Sequence, residues 1–166
     1  MLRIFPVETD QDVESAKVLF IEYADFLKKE LCEYADLPWL GEYYLEFEKE
    51  TANLSDRYNQ PEGLLLVASY EGQPVGCVAL EKLNDGTCEM KRLFVRKEHQ
   101  KKGIGKSLCE ALIECAKNIG YTHMRLATAV EPPKALYKSL GFKEIAPFRD
   151  IPDEIRGVAY MELRLI

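Results

Sequence analysis

The sequence predicts an α/β domain built on a mixed sheet, and three observations carry that prediction. Apolar residues recur at helical spacing through the first third of the chain. Three short strand-like runs follow between residues 64 and 95, divided by turn signals. Helical and strand-like segments then alternate to the end. At 166 residues the chain is long enough to bury a core as one domain spanning 1–166.

Taken in order, "LRIFPVE" reads as a first strand. Thr9 or Asp10 is placed to cap a helix whose apolar positions Val13, Ala16, Phe20, Tyr23, Leu27 and Leu31 step by three and four. "ADLPWLG" breaks it, and a second helix is expected from about Glu42, with Tyr44, Phe47, Thr51 and Leu54 on one side. The texture changes at "NQPEG". "LLLVASY", "QPVGCVALEKL" and "TCEMKRLFV" are strand-like, and the intervening "EGQ" and "NDG" predict an antiparallel meander.

Next comes "HQKKGIGKSL", opening a helix striped by Ile104, Leu108, Ala111, Cys115 and Ile119, with Gly120 placed to end it. "THMRLATA" is a strand and "PPKALYKSL" a short helix that Gly141 stops. "FKEIAPF" and "GVAYMELRL" close the chain as strands. The last alternates Ala159, Met161, Leu163 and Leu165 against Val158, Tyr160, Glu162 and Arg164, so one of its faces is buried.

The net charge of −6 is uneven. Residues 1–60 carry 14 acids against 6 bases, whereas 61–166 carry 16 bases against 14 acids. Lys91, Arg92, Arg96, Lys97, Lys101, Lys102 and Lys106 form a basic island with one acid, Glu98. An acidic chain with a single island suits one compact polyanion and argues against nucleic acid, which wants a broad positive face. No run approaches the roughly 20 apolar residues of a membrane span, and the first residues lack a signal-peptide layout. Five cysteines without a CxxC pair imply reduced thiols. The expected setting is cytoplasmic, with no membrane partner.

Two familiar phosphate motifs come close to the glycine loop and fail. A P-loop needs glycine where Gln100 stands, and a dinucleotide fingerprint needs glycine where Leu108 stands. What remains is Q-x-x-G-x-G between a strand and a helix. Glycines there let backbone approach a ligand, and the free N–H groups of a helix's first turn attract phosphate oxygens. Lys101, Lys102 and Lys106 add charge.

"LFVRKEHQKKGIGKSL", followed about 30 residues later by "ALYKSLGF", resembles the GCN5-related N-acetyltransferase family. The core of that family's acyl-CoA motif falls on Gln100, Gly103 and Gly105, and its downstream helix on Tyr137, Gly141 and Phe142. The resemblance implies a single-domain acyl-CoA N-acyltransferase fold, with about seven strands flanked by about four helices. It implies acetyl-CoA as co-substrate, its pyrophosphate held by Gln100, Lys101, Lys102, Gly103, Ile104, Gly105 and Lys106. The pantetheine arm would pair with the backbone of Leu93, Phe94 and Val95, much as an added strand. One departure stands out: the family's Asn-x-x-Ala is replaced at Val130 and Pro133, which puts one contact to the CoA arm in doubt.

Acyl transfer from a thioester needs a neutral amine, a donor for the carbonyl oxygen and a proton for the departing thiolate. The resemblance offers Glu89 as general base and Tyr137 as the group that protonates the thiolate. Glu89 also reads as a structural carboxylate pairing with Lys91 or Arg125, and Tyr137 as a core tyrosine. His99 and His123 are the only histidines and no spacing suits a metal, so none is expected. Cys109 and Cys115 read as packing residues, and Cys88 lacks an activating neighbour in sequence.

The family builds its acceptor pocket from the first two helices and the loop before the last strand. Here these carry Tyr23, Tyr34, Trp39, Tyr43 and Tyr44, many acids including Asp36 and Glu42, and "PFRDIPDEIRG". An acidic, aromatic mouth for a cationic amine is one expectation; solubilising acids over core aromatics is the other. The expected partners are acetyl-CoA and a primary amine, with a homodimer possible. A non-catalytic acyl-CoA sensor of the same fold is the alternative to an active enzyme.

Overall fold

The computed structural model describes residues 1–129 and 134–166. In chain order it forms β1 (Leu2–Pro6), α1 (Asp10–Glu30), a 3-10 turn (Cys32–Tyr34), α2 (Pro38–Ala52) and the single turn α3 (Leu54–Arg57). β2 (Leu64–Tyr70), β3 (Gln73–Asn84) and β4 (Thr87–Val95) follow, then a 3-10 turn (Lys97–His99) and α4 (Ile104–Ile119). β5 (His123–Thr128), α5 (Lys134–Ser139), β6 (Lys143–Glu144) and β7 (Ala159–Arg164) complete it. The strands form one seven-stranded sheet in the order β1-β2-β3-β4-β5-β7-β6. The β4–β5 pair is parallel and the rest are antiparallel, so the meander and the mixed sheet are both present.

The central strands are apolar on successive residues because both sheet faces are covered. Leu64, Leu66 and Ala68 of β2, Val78 and Leu80 of β3 and Cys88 and Met90 of β4 meet Leu108, Leu112 and Ala116 of α4. The alternate residues Leu65, Val67, Cys77 and Ala79 meet Ala16, Leu19 and Phe20 of α1, Phe47 of α2 and Leu54 of α3. A smaller cluster of Leu31, Leu40 and Ile155 joins the α1–α2 turn to the loop before β7. Thr9 is the residue that caps α1, exchanging bonds with Asp12 in a capping box.

Three boundaries differ from expectation, the first being that Leu54, expected on the second helix, opens the separate turn α3 because α2 ends at Ala52. α2 starts at Pro38 rather than near Glu42, because a proline at the first helical position lacks only an N–H that the helix does not use. The strand expected over "FKEIAPF" shrinks to Lys143–Glu144, with one further bond from the Ile145 N–H to the Tyr160 carbonyl. Pro147, which has no N–H to give, stands just beyond.

The feature that positions the site is the divergence of β4 and β5. They pair only from Thr87 to Glu89 against His123 to Arg125 and then separate. Beyond Glu89, β4 pairs with β3 alone, across a bulge where Cys77 lies opposite Phe94 but Ala79 opposite Lys91. Arg92 is the extra residue and takes φ 60°, a left-handed conformation uncommon outside glycine.

Candidate active site

The wedge between β4 and β5 opens into a cleft of about 920 Å³. At one end lies the glycine loop. Gly103 has φ 80° at the N-terminus of α4, and a Cβ there would meet no protein atom, so backbone conformation rather than space selects glycine. No side chain caps this helix start, leaving its first N–H groups directed out of the terminus. Gln100 donates from Nε2 to the Val95 carbonyl at 3.0 Å, tying the loop to the end of β4. Gln100, Lys101, Gly103, Ile104, Gly105 and Lys106 all line the cleft, as do Leu93, Phe94 and Val95. Lys102 does not; its ammonium lies over the Tyr70 ring, 5.3 Å from the centroid.

These residues fit the ligand that the glycine loop implies. A strand edge left open by its neighbour suits an extended amide-bearing arm, and a helix N-terminus flanked by lysines suits a pyrophosphate. Among the described residues no group of three or more His, Cys, Asp or Glu side chains could hold a metal, and no helix is long and apolar enough to cross a membrane.

Glu89 stands where β4 and β5 part. Its side chain is buried, on the sheet face opposite Cys88, and it pairs with Arg149 from the loop before β7. Neither partner suggested by the sequence serves it. Lys91 is with Glu81 at 3.3 Å, and Arg125 with Glu162 at 2.7 Å. Tyr137 is buried on the cleft wall, edge-on to Phe142. Burial pushes its hydroxyl well above the usual tyrosine range, so it keeps its proton at any physiological pH. Cys88 faces α4, away from Glu89, and burial pushes its thiol up to about 12, which leaves no thiolate to act as nucleophile.

The other end of the cleft is apolar, with Tyr23, Phe26 and Leu31 on the α1 side and Trp39, Leu40 and Tyr43 on the α2 side. Tyr34 and Tyr44 lie outside the lining, and Asp36 and Glu42 are exposed residues that do not reach it. The acidic mouth is therefore not built from the acids singled out in the sequence. The basic island also divides. Arg92 is clamped by Glu50 at 2.8 and 3.0 Å and by the Tyr43 hydroxyl at 2.7 Å, and Arg96 by Glu22. Burial alone would raise the Glu50 carboxyl, but the Arg92 guanidinium outweighs it and holds the group below the usual carboxylate range.

Sequence reasoning missed Arg149 and the Arg92–Glu50 clamp. The only available signals were the charged loop "PFRDIPDEIRG" and a lone glutamate on an apolar helix face. The replacements at Val130 and Pro133 lie outside the described residues.

A seven-stranded sheet that splays over a glycine-capped helix N-terminus is the architecture of acyl-CoA N-acyltransferases, and the comparisons agree. The acetyltransferase (GNAT) family model matches residues 25–142. An uncharacterized N-acetyltransferase of Schizosaccharomyces pombe is 34% identical, covering 99% of this chain and 95% of that protein. A GNAT-family acetyltransferase structure from Staphylococcus aureus covers all of both chains at 20% identity with TM-score 0.72. The PaiA N-acetyltransferase of Thermoplasma acidophilum, solved in complex with coenzyme A, covers 99% of each at 19% identity with TM-score 0.71. The chain belongs to the GNAT acetyltransferase family, and it is an acetyl-CoA-dependent acyltransferase.

Proposed function

We propose that the protein moves the acetyl group of acetyl-CoA directly to a primary amine, both substrates being held in the one cleft as a ternary complex. The single observation that carries this reading is the convergence of the open β4 edge, the glycine loop, Tyr137 and Glu89 on that cleft.

The main chain of Leu93, Phe94 and Val95 pairs with the pantetheine arm, and one of its N–H groups polarises the thioester carbonyl. The N–H groups of Gly103, Ile104, Gly105 and Lys106, with the ammonium groups of Lys101 and Lys106, take the pyrophosphate. Gln100 acts through the backbone by fixing where the loop leaves β4. Glu89 accepts the amine proton, directly or through a water, as nitrogen attacks the carbonyl carbon. The C–N bond forms, the C–S bond breaks, and sulfur departs as thiolate.

Tyr137 donates to that thiolate. Its raised pKa alone would make transfer uphill, but a thiolate confined in the same buried wall is destabilised by desolvation too, which narrows the gap. The acceptor's surplus proton restores the hydroxyl. Tyr137→Phe keeps the ring and its packing while removing the donor. It is expected to retain acetyl-CoA affinity within about threefold and to lower kcat by ~10²-fold, the usual worth of a positioned acid. Unchanged turnover would remove Tyr137 from the mechanism.

A further inference from the structure

The charges in the acceptor half of the cleft specify more than an amine. Lys91 and Arg92 are already consumed by Glu81 and Glu50. Arg149 is different. Its guanidinium gives Nη2 to Glu89 Oε1, its side chain is 40% exposed, and its Nε and Nη1 donate to nothing among the described residues. Glu89 Oε2 likewise receives no bond among the described residues.

The loop carrying Arg149 is held in place from three sides. The Tyr160 hydroxyl donates to the Arg149 carbonyl at 3.1 Å, Phe148 lies beneath the guanidinium at 5.7 Å, and the Arg156 N–H donates to the Tyr34 hydroxyl at 3.1 Å. The cleft therefore presents an oriented pair, a carboxylate oxygen and a guanidinium edge, beside a wall of Tyr23, Trp39, Tyr43, Leu31 and Leu40.

Resting on the acetyltransferase reading, we propose that the acceptor is an amino acid-like amine: a primary amine carrying a nearby carboxylate and a bulky apolar or aromatic side chain. The carboxylate takes the free Nη1 of Arg149, the amine meets Glu89, and the side chain lies along the α1–α2 wall. The pairing inverts the protein's own ion pair, so each charge on the acceptor finds its opposite. A polyamine would set a second cation against Arg149. An amine without a carboxylate would cover the guanidinium edge and leave it unpaired. Asp150, at the exposed rim, stays solvated in either case. The transfer leaves the carboxylate untouched: nitrogen gains the acetyl group, and the proton it loses ends on the CoA sulfur.

The test measures thiol release from acetyl-CoA with L-phenylalanine, L-phenylalaninamide, 2-phenylethylamine and spermidine. L-phenylalanine is expected to exceed both carboxylate-free analogues by ~10-fold or more in kcat/KM, through KM, as a charge-assisted contact implies. Arg149→Gln is expected to collapse that ratio to within about threefold, and Arg149→Lys to restore part of it. Equal or better use of the analogues or of spermidine overturns the amino acid assignment and leaves the acetyltransferase reading intact. Acetyl-CoA binding with no thiol release on any of the four amines overturns the amino acid assignment as well. Only silence extending to amines of other classes would count against acetyl transfer itself.

Discussion

In the proposed mechanism, Glu89 concentrates the chemistry of this cleft at a single side chain. It is buried at the point where two strands separate, on the lining of the cleft, and it meets a guanidinium on one oxygen while the other receives no bond among the described residues. If it accepts the amine proton, Glu89→Gln lowers kcat by ~10²-fold and moves the rising limb of the pH–rate profile to higher pH, where the amine deprotonates unaided. A lower rate with the limb in place would assign Glu89 to positioning alone. If Tyr137 donates to the thiolate, its deprotonation would end the plateau at high pH. Its folded pKa is raised, so the protonated form persists above the usual tyrosine range, and kcat is expected to plateau without a descending limb up to about pH 10. Pre-steady-state thiol release between pH 6 and 10 checks both. At this scale the family resemblance singled out Glu89 and Tyr137 as candidates, and both lie on the cleft. The sequence hid Arg149, because a contact between residues 60 positions apart leaves no periodic trace.

At the scale of elements, the bulge in β4 and the start of α4 do the positioning. The bulge turns Arg92 toward α2, where it lies 4.4 Å from the Phe47 centroid and is gripped by Glu50. One buried ion pair thus ties α2 to β4, two elements that line the cleft. Arg92→Met removes the closer of the two guanidinium partners of the buried Glu50 carboxylate, leaving Arg57 at 3.9 Å, and is expected to cost about 3 kcal/mol in urea unfolding. Because Glu50 has a depressed folded pKa, the pair's contribution is present above the ordinary carboxylate range near pH 4 and is lost as pH falls through the depressed value. Unfolding midpoints followed from pH 7 to 3 should show that loss in the wild type and not in the Glu50→Gln/Arg92→Met double variant.

The α4 start tests differently. Gly103→Ala forces a side chain into φ 80°, a strain of about 1–2 kcal/mol that shifting the loop would relieve, and is expected to weaken CoA binding by moving the helix's first N–H groups. Equal CoA affinity in calorimetry would contradict the cradle. The alternation of β7 and the Gly120 that ends α4 were legible because burial of one face fixes the period, whereas the α4 stripe was only half right: its buried face runs through Ile104, Leu108, Cys109, Leu112, Ile113 and Ala116, and Ile119 of the expected stripe is exposed. The early start of α2 and the short β6 were not legible, because a proline opens one and halts the other for reasons of backbone donors rather than hydrophobicity.

For the whole molecule, part of the charge asymmetry read from the sequence resolves into internal pairing. Acids of the two N-terminal helices, Glu22 and Glu50, neutralise Arg96 and Arg92 of the basic island. Lys101 and Lys106 remain to face the cleft. The island thus divides into residues that join the helices to the sheet and residues that line the cleft, where the proposed function sets them against a polyanion, a division a count of charges could not make. The order of elements and the two motifs were legible along the full chain, whereas the acceptor end depends on loops and long-range contacts and emerged only with the fold.

The most direct test of acetyl transfer at this cleft is calorimetric titration with acetyl-CoA, followed by thiol release in the same cell on adding an amine. One site per chain is expected, with a Tm rise of about 5–10 °C at 100-fold excess over Kd, then stoichiometric thiol release. Absence of binding heat and of any Tm change would contradict the account.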